Sequence, residues 1–439
     1  MVNPSENPLP KVGIVIPSKE LPLNKLYEDY EVTPLEYFIK NFTPDWPGSF
    51  AVVYHHTILR AERRPEAEPE KRRGESRYKL QTPFPDPFAI LNLLAKMTNH
   101  AELYTAVLVA PQMQTADLAQ KAAAIANLSK GRFRMGVGVG WNEPEYNALG
   151  KGDLYHHRGK VLNKQIPALR KLLTGQVFSG QISPRENLDQ MAINPGSNYN
   201  VPIMVGGQSE AALERAAYLG DGWLPLGESE EFKKQVKLVN ELLRKAGKDI
   251  AKFTTMGRIA IGKTPINKWV DEYLKWQDVG ATHVTLTTTG DEDEYDPNGE
   301  ETDPHHHSRM IAKFLRLTSW LRTPIGSFSG LFAEPYSGDV LQLDEKLKNY
   351  KSMKLDKNLK IDHVIKFLLS RGFAETAIKQ FTIQGKQIGL NVVSQTKGLI
   401  GPNGIKLIFM NQENDPESIF LIYDKEIELG FGNWHNFKQ

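Results

Sequence analysis

The chain has 439 residues, 54 basic against 52 acidic side chains, and no cysteine. The missing thiols exclude a disulfide framework, a thiolate zinc site, an iron–sulfur cluster and a cysteine nucleophile, and a net charge of +2 lacks the basic excess of a dedicated nucleic-acid binder. Residues 1–11 have neither the basic start nor the apolar stretch of a signal peptide, and the apolar runs are strand-length, so a cytoplasmic protein without membrane contact is the expectation.

From about residue 12 to residue 324, short β-branched runs alternate with stretches of 3.6-residue periodicity. Eight runs read as strands: 12–16, 50–54, 103–109, 133–139, 202–206, 222–224, 255–261 and 283–288. Helical patterns lie between them at 87–99, 115–128, 160–173, 209–219, 230–246 and 267–279. The third, fourth, fifth and eighth runs are apolar nearly throughout, as strands buried on both faces of a parallel sheet are. This alternation predicts an α/β chain with a (β/α)8 barrel over 11–324, a doubly wound open sheet being the rival.

Two insertions interrupt the repeat. Residues 60–86 combine clustered charges with four prolines and read as an excursion at the carboxyl end of the second strand, where barrels place their active sites. Residues 175–201 read as a hairpin or irregular excursion. Beyond about residue 325 the composition shifts, to a single arginine (Arg371) among 13 lysines after residue 330. A polar helix-like stretch at 341–353, a helix at 361–371 and strand-like runs at 381–383, 388–393, 405–410 and 419–423 predict a small α+β module with an antiparallel sheet over 325–439.

Glycines mark the chemistry of the barrel. Gly136, Gly138 and Gly140 alternate at the end of the fourth strand. The third comes one residue early for a dinucleotide fingerprint, and Glu143-Pro144 follows where its helix would begin. Alternation leaves one strand face without side chains, open to a flat ring or to a neighbouring backbone. Gly206 and Gly207 precede Gln208-Ser209 and a helix, and Gly227, Glu228 and Ser229 form a second such turn. Backbone N–H groups at two adjacent helix starts suit an anion, while Ser209 and Ser229 also suit plain helix caps.

Histidines cluster at 55–56, 156–157 and 305–307. His55 and His56 end the second strand, where one of two consecutive residues must face the barrel mouth. No His-Glu-X-X-His spacing accompanies them, so no metal site is expected. His305 to His307 follow an acidic stretch and read as a solvated loop.

The run 131–143, from Gly131-Arg132-Phe133 through Gly138-Val139-Gly140-Trp141-Asn142-Glu143, resembles the core signature of the bacterial luciferase-like monooxygenase superfamily, in particular its branch of F420-dependent oxidoreductases. Three further blocks are similar: 202–212, 219–223 and His157-Arg158-Gly159-Lys160. The resemblance covers roughly 11–324 and implies a barrel carrying a flavin or deazaflavin ring across its strand ends. It implies that His56 faces the reactive ring as proton donor or acceptor, with His55 replacing the aspartate common in the family. Ala106-Val107 would be the third-strand bulge behind the ring, often a cis peptide. Asn142 would contact the ring, and Arg158 would contact the cofactor or stabilise its helix. Gly206, Gly207 and Gln208 would bind the cofactor, with Gly227, Glu228 and Ser229 on its phosphate side. Val139 stands where glucose-6-phosphate-oxidising relatives carry an acidic group.

The implied activity is hydride transfer between coenzyme F420 and a small organic substrate, with an FMN-dependent monooxygenase as the alternative. A non-catalytic flavin-binding protein and a tail that carries the function are the readings from other classes. A homodimer is the assembly to test, with no nucleic-acid or membrane partner.

Overall fold

The computed structural model describes residues 7–21, 32–42, 46, 48–52, 55–58, 82–225, 229–289, 303–319, 350–354, 374–376, 397–400, 406–412 and 415–424. The chain divides into two compact units, one of Asn7–Thr264 with Glu272–Met310, the other of Met1–Glu6, Pro265–Asp271 and Ile311–Gln439.

The first unit is a closed parallel barrel. Its strands are β1 (Lys11–Val15), β2 (Ser49–Val52), β3 (Glu102–Thr105), β5 (Phe133–Gly138), β8 (Ile203–Gly206), β9 (Gly222–Leu224), β10 (Thr254–Ala260) and β11 (His283–Thr287). They pair in that order, and β11 returns to β1 with Ile14 opposite Leu286. A two-residue strand, β4 (Leu108–Val109), continues β3 beyond an interruption at Ala106-Val107 and pairs with β5. All eight runs expected from the sequence are present. The open-sheet rival fails because β3 joins β5 and β11 joins β1, so the ring has no free edge.

Strand alternation sorts the side chains. Val15, Ala51, Tyr104, Met204, Leu224 and Met256, one from each of six strands, meet inside the barrel, with Ala106 and Val107 against them. The outward residues pack under the helices that follow the strands. These include α1 (Pro34–Phe42), α2 (Pro87–Met97), α3 (Thr115–Leu128), α4 (Glu143–Ala148), α5 (Arg158–Leu173), α6 (Glu210–Leu219) and α7 (Ser229–Lys245). Outside β9 and β10, Trp223, Phe232 and Trp276 form a ring-on-ring series at 5.6 and 6.0 Å, with Trp276 of α8 (Trp269–Asp278) lying against the Gly257 backbone. The side chain of Asp86 accepts the Phe88 and Ala89 N–H groups, and Pro87 opens α2, so the 60–86 insertion closes on a conventional helix start. The 175–201 excursion is an antiparallel hairpin of β6 (Phe178–Ser183) and β7 (Glu186–Met191).

Two expectations need correction. His305 to His307 begin α9 (Pro304–Ser319) rather than forming a solvated loop; His307 is fully buried, its Nδ1 bonded to the Thr288 hydroxyl at 2.7 Å. The helix expected at 341–353 fails at its end, because β12 (Tyr350–Lys354) is a strand. The described part of the tail is a five-stranded antiparallel sheet, in the order β12, β16 (Asp415–Asp424), β15 (Lys406–Gln412), β14 (Lys397–Ile400) and β13 (Ala374–Thr376). The expected helix at 361–371 and the runs at 381–383 and 388–393 lie outside the described residues. Among the described residues, no helix is long and apolar enough to cross a membrane.

Candidate active site

The end of β2 delivers His55 and His56 to the carboxyl side of the barrel. His56 meets a partner 89 residues on: its Nδ1 donates to Glu145 Oε2 at 3.1 Å, and the Thr57 N–H donates to Glu145 Oε1 at 2.7 Å. Glu145 stands in the first turn of α4, behind Pro144, and is only 2% exposed. Burial works to raise its pKa, but the His56 hydrogen bond and charge, with the Thr57 and Ile58 N–H groups, hold it below the usual carboxylate range. An ionised Glu145 accepts only, so it places the His56 proton on Nδ1 and makes Nε2 the acceptor nitrogen of the neutral ring. The edges of Phe84 and Trp141 flank the imidazole at 5.1 and 5.9 Å between ring centres.

His55 turns to a different task. Its Nδ1 accepts the Val109 N–H at 3.1 Å, which requires that nitrogen to be unprotonated. Burial lowers its pKa, outweighing the pull of Glu145 in the other direction. His55 is therefore a neutral ring that tethers β2 to β4, just beyond the bulge.

That bulge is the cis peptide Ala106-Val107. The Val107 side chain covers two of the glycines: a Cβ at Gly138 would lie 2.7 Å, and one at Gly206 2.9 Å, from Val107 methyl groups. A Cβ at Gly136 would lie 1.9 Å from the Thr105 carbonyl oxygen, and one at Gly140 would meet Val109. The alternating glycines thus accommodate neighbouring protein, the second of the two explanations open from sequence.

Asn142 precedes α4 in the N-cap position without capping it. It is 4% exposed, and its Oδ1 has no hydrogen-bond partner. A buried amide oxygen left unpaired costs about 1–3 kcal/mol, so a donor supplied by a ligand would be strongly favoured there. Gly207 adopts φ +120, its carbonyl accepts Trp223 Nε1–H at 2.7 Å, and the Gln208 carbonyl accepts from Gln235. Ser209 stands at the start of α6 without a side-chain cap bond. Arg158 donates to the carbonyls of Gly140 and Tyr155 and stacks 4.1 Å from the centre of the Tyr155 ring, which pins the glycine strand to α5. Ser229 begins α7; Gly227 and Glu228 lie outside the described residues.

The structure joins His56, Trp141 and the Asn142–Glu145 turn in one corner, and Val107, Gly138 and Gly206 in a second. Sequence reasoning missed Glu145, whose available signal was a carboxylate following Pro144 in the first turn of a short helix. It also missed Phe84 and Trp141 as neighbours of His56.

The model of the luciferase-like monooxygenase family matches residues 69–316, more than half of the chain. The chain belongs to that family. The matched segment holds Glu145, Asn142, Val107 and the 206–208 turn, and begins shortly after His55 and His56. Its relatives include the uncharacterized protein Rv0940c of Mycobacterium tuberculosis, 31% identical over 179 residues, 40% of this chain and 60% of the relative. The pyrimidine monooxygenase RutA of Variovorax paradoxus is 26% identical over 258 residues, 56% of this chain and 66% of that one. The chain thus spans about 60% of the length of the mycobacterial relatives it matches. Among solved structures, an F420-dependent secondary alcohol dehydrogenase in complex with an F420–acetone adduct is similar at 14% identity and a TM-score of 0.49, over 68% of this chain and 98% of that one.

Proposed function

We propose that the chain is an oxidoreductase that binds coenzyme F420 at the carboxyl end of its barrel and transfers hydride to or from a small organic substrate. One observation carries the reading: a buried, ionised carboxylate in the first turn of α4 holds an imidazole, and the residue that starts the same helix buries an amide oxygen that no protein group satisfies. The donor set fits a flavin-type ring. Asn142 Oδ1 offers an acceptor to a ring N–H, Val107 with Gly138 and Gly206 gives an apolar wall, and the uncapped start of α6 faces negative charge favourably. When bound, the cofactor supplies the hydride chemistry, and the protein supplies orientation and proton handling.

In this reading His56 donates or accepts a proton at Nε2, Glu145 fixes its tautomer, and Phe84 and Trp141 exclude water. His55, Ala106 and Val107 shape the wall behind the ring. Arg158 sets the glycine strand, and Gly206, Gly207, Gln208, Gly227, Glu228 and Ser229 hold the far end of the cofactor. Residues 325–439 form an additional module outside this chemistry. The second reading, an FMN-dependent monooxygenase, draws on the similarity to RutA.

Titrating F420 and FMN separately into the purified chain, followed by absorbance, tests the assignment. A saturable F420 complex is the expected result. A tight FMN complex with no F420 binding selects the monooxygenase, and no binding of either overturns both.

A further inference from the structure

The barrel mouth is chemically divided. On the side of β3, β5 and β8 it carries glycines and Val107. On the side of β10, β11 and β1 it carries polar groups that the proposed chemistry does not use. Met256 of β10 lies in the inner layer, so Arg258, two residues on, also faces the interior, beside Thr285 of β11. Thr288 directs its hydroxyl outward to His307, so Thr287 and Thr289 face inward. Each of these two threonines is 5% exposed, and the hydroxyl of each is buried without a hydrogen-bond partner. On neighbouring β1, the loop that follows holds the buried ion pair Lys19–Glu20 at 3.7 Å.

Two unpaired hydroxyls on one face of a strand end cost stability unless something else satisfies them. A guanidinium on the adjacent strand supplies planar donors of the kind that recognise oxyanions. The ends of the seventh and eighth barrel strands, which β10 and β11 are, commonly hold such groups. We infer that Arg258, Thr287 and Thr289 form the subsite that holds an oxyanion of the substrate, a carboxylate or a phosphate monoester. The inference rests on the reading that substrate reacts at this mouth. It deepens that reading by placing the substrate's charged end on β10 and β11 and its reacting end toward His56.

The test uses the full chain, with and without bound cofactor, and three probes of similar shape: benzoate, phenyl phosphate and the neutral benzamide. Calorimetry is expected to show binding of benzoate or phenyl phosphate at least roughly tenfold tighter than benzamide, a margin of one charge-assisted hydrogen bond. The tighter of the two anions identifies the source. T287V/T289V is expected to abolish that margin while the protein melts at the same temperature or higher, because the substitution removes two unpaired hydroxyls without changing shape. R258Q is expected to lose both anions and R258K to retain part of the binding. Equal binding of anion and amide, absence of anion binding, or unchanged binding by the double variant overturns the subsite. Failure of F420 and FMN to bind overturns the functional reading instead, and anion binding to the cofactor-free chain still decides the subsite.

Discussion

Each end of the barrel holds a carboxylate–imidazole pair at 3.1 Å, and the surroundings of the two pairs differ. At the amino end, Glu102 of β3 accepts from His283 Nε2, and also from the Tyr104 hydroxyl at 2.9 Å, with Arg134 at 3.5 Å and Lys11 at 3.8 Å from its other oxygen. His283 Nδ1 is bonded to the Thr282 hydroxyl. Burial works to raise the Glu102 pKa, yet the His283 bond and charge, with Arg134 and Tyr104, hold it down to about 2. At the carboxyl end, Glu145 is held by His56 and the Thr57 and Ile58 N–H groups, and Asn142 at the start of the same helix buries its Oδ1 without a partner. Glu102 is tied down by charged and hydroxyl donors of the barrel itself, although the Ser49 hydroxyl opposite it on β2 is buried without a partner; besides His56, the groups that hold Glu145 are neutral backbone donors.

The largest expected effect separates the two imidazoles. His56→Ala should lower turnover by about 10²–10⁴-fold, the usual worth of a positioned acid–base group, with little change in melting temperature. His283→Ala should do the reverse, lowering the melting temperature while turnover per folded molecule stays. Turnover unchanged by His56→Ala would leave a cofactor-binding protein without a catalytic histidine.

The next effect concerns the two carboxylates. Glu102 titrates near 2 in the folded chain against an ordinary value of 4.5. Its contribution is therefore fully present above about pH 4.5 and is lost as the pH falls toward 2. The shift corresponds to roughly 3 kcal/mol, and partial exposure of the side chain brings this to about 2–3 kcal/mol. Urea unfolding at pH 7 should show that loss for Glu102→Gln, and parent and variant should converge near pH 2. Cofactor affinity should be unaffected, whereas Glu145→Gln should lower turnover by weakening the hold on His56 Nδ1.

The sequence carried the barrel because each strand is a local run and each helix has its own period; all eight expected barrel strands appeared, the third interrupted at Ala106-Val107. It carried the position of His56 by the same logic, since a strand end faces the mouth. It could not carry Glu145, which reaches His56 across 89 residues, nor the Glu102–His283 pair, which spans 181. The end of the helix expected at 341–353 failed because a polar, lysine-rich stretch has helical propensity, whereas Tyr350–Lys354 is held by pairing with a strand some seventy residues on. The glycines were legible as a feature and ambiguous as a cause, and that ambiguity leads to a third prediction. Gly138→Ala should cost about 1–3 kcal/mol by overpacking, and Val107→Ala in the same chain should recover much of it. Gly136→Ala, whose Cβ meets the Thr105 backbone, should not be recoverable that way.

The smallest effect tests the unpaired end most directly. In the cofactor-free chain, Asn142 Oδ1 is a buried acceptor without a donor, so Asn142→Leu, close in shape, removes a cost rather than a bond. The variant should be as stable as the parent or up to about 1 kcal/mol more so. With cofactor the proposed function reverses the sign: there the amide oxygen accepts from the ring, and its loss should weaken binding by roughly tenfold. Thermal melts with and without cofactor give both numbers on one sample. A lower melting point for the cofactor-free variant would mean that Asn142 supports the α4 turn, and its oxygen would then not be an acceptor kept for a ligand.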